Sequence, residues 1–329
     1  MARVHTHQLG SAGPSVSALA LGCMGMSGMY GPSDEGESIA TIHAAIDAGI
    51  NLLDTGDFYG MGHNEMLLGR ALRGRRQQVL LSVKFGAMRA PGGAFIGVDG
   101  RPQAVRNFLA YSLRRLETDH VDIYRLSRLD PAVPIEDTVG AIADLIRQGY
   151  VRFVGLSEVG AATIRRAHAV HPVCDLQIEY SLASRSIERA ILPALRELGI
   201  AVTAYGVLSR GLLTGSQPAP AGDFRAHLPR FSGANYEHNR GPVAALFDLA
   251  KEMGATPAQL AIAWVLSKGS DIVPVVGART RSQLADSTGA LDLTLSLRDI
   301  ARLEAVFDAA PVAGTRYDAA QMSILDSER

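Results

Sequence analysis

From residue 18 onward, short apolar runs alternate with longer amphipathic stretches, at intervals of very roughly thirty residues. The runs at 18–22, 51–54, 79–84, 121–126, 153–157, 176–180, 201–205 and 272–276 predict eight strands. Most are continuously apolar, as expected of strands in a parallel sheet covered on both faces. Between them, 37–48, 64–72, 102–116, 135–147, 161–169 and 187–198 carry helical periodicity, and 242–253 and 257–268 predict two more helices before the last strand. Gly49, Gly149 and Gly199 stand where a glycine ends a helix ahead of a strand. Residues 3–16, with a turn at 10–13, read as a hairpin preceding the repeat.

Eight βα units with no linker between them predict α/β architecture in one domain over residues 1–329, a closed (β/α)8 barrel. An open, doubly wound sheet needs a glycine-rich dinucleotide turn after its first strand. Gly22-Cys23-Met24-Gly25-Met26 lacks that spacing, and Gly31-Pro32 intervenes before the helix. Three segments break the regularity: 85–101, which is rich in glycine, 206–240, and the tail 310–329. Long connections after barrel strands surround the mouth of such a fold.

Bulk properties narrow the class of function. The formal net charge of -1, with no basic run interleaved with aromatics, points away from nucleic acid. Cys23 and Cys174 are the only cysteines, so no disulfide framework is implied and a reducing compartment fits. No stretch reaches the roughly 18 apolar residues of a membrane span, and the first ten residues lack a signal-peptide core. A cytoplasmic protein acting on a small molecule is the expectation. His168 and His171 read as helix-end residues, not metal ligands, and no metal site is expected.

Chemistry gathers at the ends of the apolar runs. Asn51-Leu52-Leu53-Asp54 drives into an acid, and Tyr59 follows five residues later across a short glycine-bearing turn. The next run ends on Lys84 and a glycine. A carboxylate at the end of a buried strand needs a cationic partner, and adjacent strands would place Asp54 beside Lys84. A free tyrosine has a pKa of about 10, and an ammonium beside it favours the phenolate. The trio Asp54, Tyr59 and Lys84 suits protonation of an oxygen while another group attacks its carbon. No serine or cysteine nucleophile paired with histidine is apparent, so acyl transfer is not indicated. A second constellation runs Val275-Val276-Gly277-Ala278-Arg279-Thr280, a strand leading through glycine into a basic helix start suited to phosphate. The loop Gly206-Val207-Leu208-Ser209-Arg210-Gly211 presents amides around two glycines and is its companion.

With these motifs in this order, the chain resembles the aldo-keto reductase family over nearly its whole length. The likeness rests on Asp54-Thr55-Gly56-Asp57-Phe58-Tyr59-Gly60, Lys84 within Ser82-Val83-Lys84-Phe85-Gly86, Gly155-Leu156-Ser157-Glu158, Gln177-Ile178-Glu179-Tyr180-Ser181, Arg210-Gly211 after Tyr205, and Gly277-Ala278-Arg279. The resemblance implies a barrel with an N-terminal hairpin across its base, NADPH bound in extended form, and reduction of aldehydes and ketones to alcohols. It makes Tyr59 the proton donor, Lys84 the neighbour that lowers its pKa, and Asp54 the partner of Lys84. Tyr205 would stack on the nicotinamide, with Ser157 and Gln177 on its carboxamide. The pyrophosphate would lie along Gly206, Leu208, Ser209, Arg210 and Gly211, with Met24 and Gly277 nearby. Arg279, Thr280 and Gln283 would meet the 2′-phosphate, and Ser287 stands where an adenine-binding asparagine is common. One departure matters: the family's strand-four histidine is replaced by Ser127, within Leu126-Ser127-Arg128. A serine is shorter than histidine and never cationic, and loss of one donor at a developing oxyanion costs about 2 to 4 kcal/mol. Ser127 is therefore expected to orient the substrate. The replacement leaves two other readings, a nicotinamide-binding sensor with little turnover and a reductase of activated C=C bonds.

Overall fold

The computed structural model describes residues 4–218 and 223–329, so Arg3 at the start of the expected hairpin and Pro220 in the long loop lie outside the described residues. The first to fourth barrel strands are Ala20–Gly22, Leu52–Gly56, Leu80–Phe85 and Val121–Leu126. The fifth to eighth are Val151–Ser157, Val173–Glu179, Ala201–Tyr205 and Ile272–Gly277. Each pairs in parallel with its successor, and the eighth returns to the first through Val276 opposite Leu21, closing the expected (β/α)8 barrel.

Alternation along the strands divides the core into an outer and an inner part. Leu21, Leu53, Leu81, Val83, Leu176 and Val202 point outward and are fully buried against the helices. Inward, at the N-terminal end, Leu52, Ile123, Ala201 and Val273 pack against Leu9 and Val16. Those two residues belong to the hairpin segment, where Thr6–Gln8 pairs antiparallel with Ser15–Ser17 and plugs the barrel base. Gly10 at its turn has φ +65, and a Cβ there would stand 2.4 Å from the carbonyl oxygen of Cys174. Only glycine permits that approach.

Above the apolar plug the barrel interior is ionic. Arg125 grips Asp175 with two hydrogen bonds, 2.8 and 3.1 Å long, and also reaches Ser82 and Thr203. Both charges are fully buried. These four hydrogen bonds to three residues explain how a charged layer survives inside a barrel, with only Arg125 Nε left without a partner on that guanidinium.

Several expected segments are more structured than their patterns implied. The 85–101 connection contains an antiparallel pair, Ala87–Arg89 with Phe95–Val98. The helix expected from 242 runs instead over Gly233–Glu252, with Pro242 inside it. Its first two turns are polar and carry no apolar period. They are held by Asn239, whose fully buried amide donates to the carbonyls of Arg230 (3.0 Å) and Ala313 (3.1 Å). The helix expected over 187–198 begins at Ile191, after the short turn Ser186–Glu188. Further helices at Arg281–Gly289 and Leu297–Ala309 complete the ring. Among the described residues, no helix is long and apolar enough to cross a membrane.

Candidate active site

Register brings the acid and the ammonium together. Asp54 lies opposite Ser82, and Lys84 lies opposite Gly56, two residues further along the second strand. Steps of two keep side chains on one face, so all three project into the barrel mouth. Lys84 Nζ donates to Asp54 Oδ2 at 2.6 Å, and Ser82 Oγ donates to Asp54 Oδ1 at 2.9 Å. The loop after the second strand is pinned by buried Asn64. It accepts from Thr55 Oγ1 at 2.6 Å and donates to the Cys23 carbonyl at 2.8 Å. Left-handed backbone at Gly60, Met61 and Gly62 then turns Tyr59 back over the pair, its ring centroid 5.2 Å from Lys84 Nζ.

The electrostatics differ from the expectation at one point. Burial holds the Tyr59 hydroxyl well above the ordinary phenol range, and the Asp54 charge adds to this. Arg128, not Lys84, is the cation that opposes the rise. Tyr59 is thus a protonated phenol at neutral pH. Burial also lowers the Lys84 pKa, against the attraction of Asp54.

A cavity of about 560 Å³ opens above this group. Its size suits a small-molecule site. Sixteen of the eighteen residues singled out in the sequence line it. The other two are Ser209, whose Oγ accepts from Arg230 (3.2 Å), and Thr280, whose Oγ1 caps the helix Arg281–Gly289 by accepting from the Gln283 amide (3.2 Å). Gln177 lines the cavity, yet its Nε2 is engaged with Asp54 Oδ1 at 2.8 Å. The Gln283 side chain accepts from the Arg279 amide at 2.8 Å, and Arg279 Nη1 donates to the carbonyls of Tyr30 (2.9 Å) and Pro32 (3.2 Å). Tyr205 OH donates to Glu158 Oε1 at 2.7 Å and lies 3.0 Å from Tyr317 OH.

Two buried hydroxyls that line the cavity, Ser127 Oγ and Ser157 Oγ, have no partner within the protein. Buried polar atoms are seldom left so. The 206–211 loop is held in an unusual shape. Gly206, Ser209, Arg210 and Gly211 all have positive φ. Arg210 is anchored on Glu179 at 3.0 Å, and its carbonyl accepts from Arg225 Nη1 at 3.0 Å. The loop also closes on itself, the Ser209 and Gly211 amides donating to the carbonyls of Gly206 (2.7 Å) and Leu208 (2.9 Å).

The tail 310–329, one of the three irregular segments expected around the mouth, reaches the site, although no motif singled out its residues. Tyr317 from 310–329 enters the wall, with the guanidinium of Arg210 4.5 Å from its ring centroid and Arg128 Nη2 donating to its hydroxyl at 3.2 Å. Arg316 beside it grips Glu158, Nη1 to Oε1 at 2.8 Å. Glu158 is at φ +54, and although burial raises its pKa, Arg316 outweighs this and brings it to about 2. Burial pushes the Tyr317 hydroxyl up, but Arg210 and Arg128 bring it below the ordinary phenol value. Tyr30, Phe58, Arg89 and Phe95 also line the cavity; Phe58 belongs to the motif around Asp54 and Tyr59, and Arg89 and Phe95 to the glycine-rich 85–101 segment, but none was singled out by itself.

Comparison with known proteins gives a consistent picture. The family model described as "Aldo/keto reductase family" matches residues 18–308. A probable aldo-keto reductase 1 from Glycine max is 41% identical over 324 residues, covering 96% of this chain and 92% of that protein. Among solved structures, a glycerol dehydrogenase from Gluconobacter oxydans superposes with a TM-score of 0.84 at 28% identity, over 96% of this chain and 98% of its own. The holo form of an aldo-keto reductase from Bacillus halodurans gives 0.76 at 27% identity, over 95% and 98%.

Proposed function

The chain belongs to the aldo/keto reductase family, whose chemistry is nicotinamide-dependent oxidoreduction, and from that premise we propose that it is an NADPH-dependent reductase of aldehyde or ketone carbonyls, acting in the cytoplasm. When bound, the dihydronicotinamide supplies a hydride to the carbonyl carbon. Tyr59 gives its proton to the carbonyl oxygen. The observation that carries this reading is the buried Asp54–Lys84 pair at 2.6 Å beneath a phenol that stays protonated at neutral pH. Lys84 lies beneath the phenol, and Asp54, tethered by Ser82 and Gln177, keeps Lys84 in place. Ser127 orients the substrate with its unpartnered hydroxyl.

The residues present fit the cofactor. Ser157 Oγ is a buried hydroxyl with an unmet hydrogen bond at the cavity wall, suited to a carboxamide. Tyr205 supplies an aromatic wall beside it, and the loop Gly206, Val207, Leu208 and Arg210 at the cavity wall suits a pyrophosphate. Arg279 lines the cavity with no carboxylate paired to it among the described residues, which favours a 2′-phosphate and hence NADPH over NADH. Tyr59→Phe tests the assignment. It is expected to lower turnover with reactive aldehydes by at least a hundredfold while leaving NADPH binding intact. Undiminished turnover would remove Tyr59 from its role.

A further inference from the structure

No serine paired with a histidine is apparent along the chain, but the fold makes such a pair. Ser27 Oγ lies 2.9 Å from His63 Nδ1, and His63 Nε2 lies 3.2 Å from Glu35 Oε1. Ser27 ends the turn Met24–Ser27 that follows the first barrel strand, and His63 opens the helix His63–Ala71 that follows the second. Glu35 opens the helix Glu35–Asp47 between them. The first two strands are neighbours in the barrel, so the segments that follow them meet. Gly60, at φ +55, admits the contact: a Cβ there would stand 3.0 Å from Ser27 Cβ and 3.2 Å from His63 Cβ. Asn64 Nδ2 donates to Ser27 Oγ at 2.8 Å, and the Asn64 side chain is itself locked by Thr55 and the Cys23 carbonyl.

The partners set the roles. A carboxylate accepts and cannot donate, so Nε2 carries the imidazole proton toward Glu35, and Nδ1 faces Ser27 as the free base. Arg70 also pairs with Glu35 and holds the acid that orients the ring. A nucleophile, a base and an orienting acid within hydrogen-bond reach are the signature of covalent acyl transfer, on whatever fold they occur. The Asn64 N–H adds a fixed donor at the oxygen where negative charge develops. The reductase reading uses none of the three, and Ser27, Glu35 and His63 do not line its cavity. The site is open to water: the His63 side chain is 41% exposed, and Gly28 beside Ser27 is exposed. Met61, next to Gly60 and 57% exposed, offers apolar surface. This suits a small acyl group, not a long chain that needs an extended groove.

We propose that Ser27 and His63, with Glu35 positioning the imidazole, form a second catalytic site, an esterase centre for small activated carboxylic esters. Ser27 Oγ bonds to the acyl carbon and gives its proton to His63 Nδ1. The bond from that carbon to the alcohol oxygen breaks, and the departing oxygen takes the proton from His63. Water then attacks the acyl-serine ester, its proton passing through His63 to Ser27 Oγ as the carboxylic acid leaves. Ester and water become acid and alcohol, with nothing oxidised or reduced. The activity needs no nicotinamide and stands apart from the carbonyl-reductase reading.

The test follows release of 4-nitrophenolate from 4-nitrophenyl acetate without NADPH, over many turnovers so that simple acetylation of lysines does not count. In parallel, diisopropyl fluorophosphate labels the protein and peptide mass spectrometry locates the adduct. The parent is expected to carry the adduct on Ser27 and to hydrolyse the ester about tenfold or more faster than Ser27→Ala or His63→Gln. Glu35→Ala is expected to lower the rate about threefold, a modest effect because the pair is exposed, and Glu35→Gln, which keeps an acceptor for the Nε2 proton, to restore it in part. Circular dichroism melting checks that each variant folds. If Ser27→Ala does not, the adduct on Ser27 of the parent and its loss in His63→Gln decide the matter. An adduct elsewhere or none at all overturns the proposal, as does hydrolysis by folded Ser27→Ala equal to that of the parent. A rate unchanged in Glu35→Ala would remove Glu35 from the site.

Discussion

Arg316→Met is the perturbation whose size the structure fixes best. Arg316 and Glu158 are 7% and 0% exposed at the side chain, so their interaction is little screened by solvent. Glu158 moves from the ordinary 4.5 to about 2 because the attraction of Arg316 outweighs the burial that would raise it. At about 1.4 kcal/mol per pH unit, the shift corresponds to roughly 3 kcal/mol of stability at neutral pH. The loss of one partner from a buried pair costs a similar amount, about 3 to 5 kcal/mol. For a chain of 329 residues, with unfolding entropy near 2.1 cal/mol/K per residue, this corresponds to a fall in Tm of about 4 to 5 °C. The sign with pH follows from the depressed pKa. The contribution is fully present above 4.5 and is lost as pH falls through about 2. In the variant, Glu158 has lost its cation and burial lifts its pKa, so it takes up a proton at a higher pH than in the parent. The gap in Tm should therefore be largest near pH 7 and narrow on acidification. Scanning calorimetry of both proteins from pH 7 to pH 4 measures it. Equal Tm values at pH 7, or a gap that widens toward pH 4, would refute the reasoning. A double-mutant cycle with Glu158→Gln would show whether the energy belongs to the pair.

Three further outcomes are expected. Burial, with the Glu65 charge adding, raises Asp57 to about 7, and one of its carboxylate oxygens has no partner. The fold favours its neutral form, so stability falls as pH rises from about 3.8 to about 7, by roughly 4 kcal/mol at most. Asp57→Asn should flatten that fall, seen in urea unfolding at pH 5 and pH 8.5; parallel curves for the two proteins would contradict it. Ser127→His should raise kcat/KM on simple aldehydes at least tenfold, since it returns a donor beside the reacting oxygen. No gain would mean that the parent site is built for another acceptor. Arg279→Met should weaken NADPH binding by about ten- to a hundredfold while shifting NADH less than threefold, by fluorescence titration. Equal losses for both cofactors would count against a phosphate contact at Arg279.

Much of the fold was legible before any coordinates. The eight apolar runs are buried on both faces and therefore read continuously, and the helices between them have one apolar stripe each. The acid–lysine pair was legible too, because ionisable residues at the ends of such runs must meet one another. Less visible was whatever depends on contacts distant in sequence. The first turns of Gly233–Glu252 are polar and owe their shape to Asn239 reaching Arg230 and Ala313. Arg316 and Tyr317 sit in a tail without periodicity, and enter the site because Glu158, more than 150 residues earlier, is aimed at them.

The chain's own pattern thus determined the barrel and the place of Asp54, Tyr59 and Lys84, because periodicity and the cost of burying charge act locally. Tertiary structure alone decided the electrostatic character of the mouth. Burial and the Asp54 charge hold the Tyr59 phenol high, with Arg128 opposing them, and Arg316 holds the Glu158 carboxyl low. Charges act through space and are screened by whatever packs beside them, so their balance follows from folded distances and not from order along the chain.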